Sequence, residues 1–366
     1  MNVETKRQRV LVWGLTNSLA GTEAVIKNYV GAIGNRVAFD FLLFEEPTNY
    51  QELFQGENRY FVIPNKRTNP RGYFAALREH FEHHAGEYVA VWSNLNILNN
   101  IDVLKYGARY GIPHRILHAH NSHDDGNLHQ RLLCMLHKYT FESYLTDRWA
   151  CSKEAGDYFF GEMPYEVLPN AIDETRVRFS PEKRAAIRTL LGVSSDQRVV
   201  GAVGRLTYQK NYEFLLGIWP SVVERCPDAR LVIVGSGELE QDLKAQAKQA
   251  GIEDSVVFTG VQTDIQAYLS AFDVYVMPSH YEGLPISLLE AQFNGLGALV
   301  SDAVSEEAII SPALSRLSLD DPEPWVRGIL EAQRLEGPLL ERADTYRISM
   351  ASDRVATAFE KFGEVS

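Results

Sequence analysis

The sequence predicts an α/β protein made of two doubly wound halves, each a parallel sheet covered by helices on both faces. Three observations carry this. Short apolar runs alternate with helical stretches along the whole chain, the alternation pauses once near the middle and restarts, and 366 residues suit two domains rather than one. Hydrophobic residues make up 45% of the chain and charged residues 23%, so there is apolar material for a sizeable core.

In chain order, the first strand is Val10 to Trp13, followed by a loop from Gly14 to Gly21 and a helix opening near Thr22, a residue type that caps helix starts. Ala38 to Phe44, Tyr60 to Ile63 and Tyr88 to Trp92 read as further strands, with Gly72 to His84 and Ile97 to Tyr110 helical. Arg115 to Ala119 and Arg148 to Cys151 complete the first set. From Val167 to Pro181 the rhythm breaks; Pro169, Asn170, Asp173 and Pro181 mark a connection between domains. Five buried-type strands then follow: Val199 to Val203, Leu231 to Val234, Val256 to Phe258, Val274 to Met277 and Ala298 to Val300. The last segment, Arg347 to Gly363, is helical. Open parallel sheets bind ligands beyond the carboxyl ends of their strands, and two such sheets facing each other make a cleft for a small molecule.

A net charge of -12 argues against general nucleic-acid binding, which needs a basic footprint. Two basic clusters, Lys6, Arg7 and Arg9 near the start and Lys66, Arg67 and Arg71 further on, read as solvated surface or as a local patch. Cys134, Cys151 and Cys226 lie far apart with no metal or redox spacing, which suits a reducing compartment. No window approaches the roughly 20 apolar residues of a membrane span, and no signal peptide is evident. The expectation is a cytoplasmic, soluble chain, with peripheral contact on the inner face of the membrane left open.

The most informative stretch is Asp273 to Glu290: a strand ending near Met277, a loop holding Glu282, and a helix that Pro285 can start. Free amides and the positive dipole end at that helix start suit an anion, while Glu282 and Glu290 can accept hydrogen bonds from hydroxyls. A first-turn acid and a solvated one would read the same. In Gly201 to Asn211 a strand ends at Gly204, then Arg205 and Lys210 follow five residues apart; they can grip a phosphate, or be exposed surface cations. Gly235 and Gly237 after a strand permit close backbone approach to a ligand. Gly21 offers a backbone-amide site or an ordinary turn. His118 and His120 alternate onto one sheet face, near His123, Asp124 and Asp125; structural histidines and a zinc site are both open there.

Taken together these stretches resemble the family 4 retaining glycosyltransferases of the GT-B fold. The resemblance rests on Gly21-Thr22-Glu23, His118-Ala-His120-Asn121, Ala150-Cys151-Ser152, Pro169-Asn170-Ala-Ile172-Asp173, Gly204-Arg205-Leu206 with Gln209-Lys210-Asn211, Val234-Gly235-Ser-Gly237-Glu238, Phe258-Thr259-Gly260 and the Glu-x7-Glu from Glu282 to Glu290, all in family order. Ser301 to Ala308 looks like the variant of bacterial exopolysaccharide and capsule transferases. One departure is Ala20, where many relatives carry a first glycine.

The resemblance implies an acceptor-binding domain over 1–170, a donor-binding domain over 171–346, and a terminal helix, 347–366, crossing back to the first domain. It implies that Arg205 and Lys210 bind the donor diphosphate, that Glu282 with the Gly283 and Leu284 amides holds sugar hydroxyls, that Glu290 binds the ribose, that Gly21 approaches the phosphates or acceptor, and that His120 lies near donor sugar and acceptor, with Gly204, Gly235 and Gly237 in the donor site. It further implies transfer from a nucleotide-diphosphate sugar, leaning to UDP, onto a glycan or lipid-linked acceptor, with no metal and no cofactor. The rival expectations are a UDP-sugar 2-epimerase of the same fold and a metal hydrolase on His118, His120 and His123.

Overall fold

The computed structural model describes residues 7–18, 21–121, 128–138, 140–282, 284–335 and 337–363. The chain divides into two compact units, unit 1 with residues 1–171 and 347–366 and unit 2 with residues 172–346.

Unit 1 starts with β1 (Gln8–Trp13), α1 (Gly21–Ile33), β2 (Val37–Leu43), β3 (Arg59–Val62), α2 (Pro70–His84) and β4 (Tyr88–Leu95). It continues with α3 (Asp102–Arg109), β5 (His114–Ala119), α4 (Leu128–Lys138), β6 (Asp147–Ala150), α5 (Lys153–Phe160) and β7 (Glu166–Val167). The strands form one parallel sheet in the order β3-β2-β1-β4-β5-β6-β7. Helices cover both faces of such a sheet, so its inner strands are largely apolar, and Val10, Leu11 and Val12 are fully buried. Asp40 in β2 is a buried charge among them: it has no exposed surface and is neutralised by Arg9 at 2.6 Å and Arg59 at 2.5 Å, with the Tyr88 hydroxyl donating at 2.8 Å. Arg9 is thus an internal counter-ion and no surface cation, and Lys66 likewise pairs with Asp102.

Unit 2 holds α6 (Glu174–Val177), α7 (Pro181–Leu190), β8 (Val199–Val203), α8 (Tyr212–Arg225), β9 (Arg230–Val234), α9 (Glu240–Gln249), β10 (Val256–Phe258) and α10 (Ile265–Ala271). After these come β11 (Val274–Met277), α11 (Ile286–Phe293), β12 (Gly297–Ser301), β13 (Leu314–Leu317) and α12 (Pro322–Glu331). Its parallel sheet runs β10-β9-β8-β11-β12-β13. In both sheets the chain builds outward to one edge, then returns to start the other half beside its first strand. These reversal points lie between β1 and β4 and between β8 and β11, and open parallel sheets bind ligands at the carboxyl ends of such points.

The last helix, α13 (Ile348–Phe362), belongs to unit 1. Its Phe359 is fully buried against Phe39, Trp92 and Trp149, and Arg36 reaches Glu360 and Asp353 on its outer side.

Several expectations shift. Thr22 does not cap α1; it lies inside the helix and its hydroxyl donates to Asn96 Oδ1 at 3.0 Å. The helix expected from Ile97 starts at Asp102, because Asn100 Oδ1 takes the Asp102 amide and holds the preceding residues in a loop. The stretch from Val167 to Pro181 carries β7 and α6, with Asp173 capping α6 through the amides of Thr175 and Arg176.

Candidate functional site

In unit 2 the loop after β8 is set by its neighbours. Gly204 N donates to Val234 O at 3.0 Å and Leu206 N to Ser236 O at 3.0 Å, which lays this loop on the loop after β9. Gly235 has φ +135°, and a Cβ on it would stand 2.0 Å from Gly204 O; a Cβ on Gly237 would stand 2.3 Å from Leu206 O. The Cβ side of each of these two glycines is therefore taken by the protein's own backbone. Gly204 makes room for the Lys210 stem, whose Cε would lie 3.2 Å from a Cβ there.

The loop after β11 is stitched to the same segment. His280 N donates to Gln209 O at 2.8 Å, Gln209 Nε2 donates to Tyr281 O at 3.1 Å, and the Tyr208 and His280 rings stack at 4.4 Å. These contacts bring Lys210 Nζ to 2.6 Å from Glu282 Oε1, with side chains only 15% and 6% exposed. Behind them the Tyr275 hydroxyl lies 3.3 Å from Val203 O and 3.0 Å from Ser287 Oγ, within hydrogen-bonding distance of both. Burial pushes the Tyr275 hydroxyl far up, and the charges of Glu282 and Glu290 add to the shift, so both carboxylates sit around one phenol. Pro285 stands at the N-cap of α11, where no side chain caps the free amides, and Leu284 is buried beside it. Arg205 is exposed and makes no side-chain hydrogen bond or ion pair among the described residues. Gly283 lies outside the described residues.

A reversal point with a largely buried ammonium, two carboxylates and uncapped helix amides can hold an anion and several hydroxyls together. Tyr275, Tyr208 and His280 carry no motif spacing of their own; the one sequence signal is that Tyr275 and His280 fall inside the stretch from Asp273 to Glu290.

In unit 1, Gly14 with φ +107° brings the loop after β1 against Asn94, whose carbonyl oxygen would lie 2.2 Å from a Cβ at Gly14. Gly21 opens α1 at this edge, and Glu23 in the first turn is buried with Thr16 donating to it. Burial raises the Glu23 carboxyl above its usual range, against the Thr16 bond. His118 is fully buried, stacked on Trp92 at 6.1 Å. Its ring centroid is 4.1 Å from that of His120, whose Nε2 lies 2.9 Å from Asn94 Oδ1. Burial drives both imidazoles down, His118 well below the usual range and His120 to about 3, with Asn170 opposing the latter shift. A cavity of about 330 Å³ nearby is lined by Thr16, Asn17, Phe44, Asn49 and Asn65.

Among the described residues no three His, Cys, Asp or Glu side chains are grouped to hold a metal ion. His123, Asp124, Asp125, Lys6 and Ala20 lie outside the described residues.

Residues 183–347 match the family described as glycosyl transferases group 1. EpsF of Bacillus subtilis, named as a glycosyltransferase, is 31% identical over 357 residues, covering 93% of this chain and 91% of that one. The chain belongs to the group 1 glycosyltransferases. The transferase is also 31% identical over 205 residues to an Escherichia coli UDP-Gal:alpha-D-GlcNAc-diphosphoundecaprenol alpha-1,3-galactosyltransferase, covering 55% of this chain and 50% of that enzyme. Among solved structures, Anabaena HepE in complex with UDP-glucose superposes with a TM-score of 0.76 over 97% of this chain and 100% of that one, at 18% identity. Sucrose-phosphate synthase from Thermosynechococcus elongatus gives 0.76 over 98% of this chain and 100% of that one, at 15% identity. The transferase thus shares their GT-B fold. No helix among its described residues is long and apolar enough to cross a membrane.

Proposed function

We propose that the chain transfers a hexosyl unit from a UDP-sugar to a glycan or lipid-linked acceptor in bacterial polysaccharide assembly, with retention at the anomeric carbon and without metal or cofactor. The observation that carries this is the meeting of Lys210 and Glu282 at the reversal point of unit 2, at 2.6 Å, beside the open start of α11. An ammonium there balances the diphosphate, and the carboxylate beside it takes sugar hydroxyls. Arg205, exposed at the same loop, closes on phosphate oxygens, and Glu290 binds the ribose. The UDP-glucose complex of HepE and the UDP-galactose donor of the E. coli relative support a UDP donor. The diphosphoundecaprenol acceptor of the latter supports a lipid-linked one.

No carboxylate in the motifs reads as a nucleophile, which favours front-side displacement. The leaving diphosphate, its charge balanced by Lys210 and Arg205, assists removal of the acceptor's proton. Leu132, Met135 and Leu136 are exposed at helical spacing on α4, with Lys138 following, which supports peripheral membrane contact through unit 1 and a place on the cytoplasmic face.

The test is turnover of UDP- and GDP-sugars with and without a lipid-linked acceptor. Transfer of label only with acceptor present is expected, and donor conversion without acceptor would point to epimerisation instead. Lys210→Ala should lower turnover about 100-fold or more, the scale of losing one charge-stabilising group. Normal turnover by this variant would remove the assignment.

A further inference from the structure

The loops after β1, β2 and β3 meet at the carboxyl edge of unit 1 around the cavity of about 330 Å³. Its wall is fixed by Asn17, whose Nδ2 donates to Glu46 O at 2.9 Å and whose Oδ1 accepts from Thr48 N at 2.9 Å. Asn49 Nδ2 donates to Asn17 O at 2.6 Å, and Arg67 N donates to Asn65 Oδ1 at 2.9 Å. These bonds orient two carboxamides: Asn49 has its oxygen left over, and Asn65 its nitrogen. Among the described residues neither of these atoms has a partner, nor does the carboxylate of Glu45 on the same wall. Phe44 packs on Trp13 at 5.2 Å and on Tyr73 at 6.2 Å, yet it stays 36% exposed. No lysine or arginine lines the cavity, and Lys66, next to Asn65 in the chain, is held by Asp102.

We propose that this cavity is a saccharide subsite, which takes a sugar ring of the acceptor and leaves the acceptor's diphosphate outside. This deepens the acceptor end of the function proposed above and rests on that reading. A sugar presents two kinds of surface. Its hydroxyls both donate and accept, which suits a wall offering one amide donor, one amide acceptor and one carboxylate. Its C–H face suits the electron-rich face of an aromatic ring, which Phe44 supplies. Small-molecule sites span about 300–1,000 Å³, and this cavity lies at the low end of that range. A diphosphate calls for cations, and the charge of Glu45 repels it. In the subsite Asn65 Nδ2 donates to a hydroxyl oxygen, Glu45 and Asn49 Oδ1 accept from hydroxyl protons, and Phe44 selects the ring face that is presented.

The experiment is saturation-transfer proton spectroscopy of the full chain with UDP present. The probes are the methyl glycosides of glucose, galactose and N-acetylglucosamine, with inorganic pyrophosphate as competitor. At least one glycoside should receive saturation, and pyrophosphate should not displace it. Asn65→Asp keeps the bond from Arg67 N but removes the amide donor, and Phe44→Leu keeps an apolar side chain but removes the ring. Each should weaken glycoside binding about tenfold and raise acceptor KM by the same factor, with kcat and donor KM nearly unchanged. The proposal is overturned if no glycoside binds, if either variant binds it as the wild type does, or if pyrophosphate displaces it. A wild type that binds glycoside but moves no sugar would instead fail the functional reading, while the two variants still judge the subsite.

Discussion

Lys210 and Glu282 form an ion pair with little solvent, so each charge is tolerable only because the other is there. Removing one partner leaves the other buried and uncompensated. Glu282→Ala should therefore cost about 3 kcal/mol of unit 2 stability, and the double variant with Lys210→Ala should cost clearly less than the two single losses combined. Denaturant midpoints measure this; strictly additive losses would mean that the pair carries no coupling. The two residues were separately visible in the sequence, one as a cation after a strand, the other as an acid before a helix. Their contact was not, because it depends on the stitching of Gln209 to His280 and Tyr281, which joins two loops far apart in the chain. Gly235 and Gly237 show the opposite case. The glycines were legible, but their close approach is to residues 204–206, a fact of three-dimensional packing that no local spacing encodes.

Among the elements, α13 is joined to the sheet of unit 1 chiefly through a buried aromatic, with Phe362 stacked on His114 beside it. Phe359 has no exposed surface and touches Phe39, Trp92 and Trp149. Phe359→Ala should cost about 3–5 kcal/mol, the usual range for emptying a buried aromatic site, and should make α13 the first segment to exchange its amide hydrogens. A loss below about 1 kcal/mol would show that the helix is held by its outer ion pairs instead. Most strands were readable because fully buried parallel strands are short apolar runs, as in β1, β8, β9 and β11. The two that escaped, β7 and β13, are edge strands with much of their surface in water, so neither needs an apolar run. The start of α3 was misplaced for a different reason: Asn100 offers its side chain to the backbone and delays the helix, which hydrophobic periodicity does not register.

For the whole molecule, acid sensitivity falls on unit 1. Of the ten histidines only His280 lies outside it. Burial lowers His80 to about 4 and His120 to about 3, and His118 falls well below the usual range. The unfolded chain takes up protons at these rings from about pH 6.5 downward, while the folded chain does not, so stability drops as pH falls through that window. By pH 5 each such histidine contributes a loss of up to about 2 kcal/mol. Carboxylates held low by partners, such as Glu87 by His84 and Arg59, add their own loss only at lower pH. Thermal scans from pH 7.5 to 5 should show unit 1 melting progressively earlier, and a flat midpoint over that range would contradict the burial of these rings.

The discontinuous make-up of unit 1 has a bearing on how the chain is born. Residues 172–346 form an uninterrupted insert that can fold as soon as it clears the ribosome, whereas the sheet of unit 1 waits for residues 347–366. Until they arrive, the aromatic floor of Phe39, Trp92 and Trp149 lacks its Phe359 cover. The nascent chain carries that sticky surface while the whole of unit 2 is being made, so the unit that is begun first is closed last.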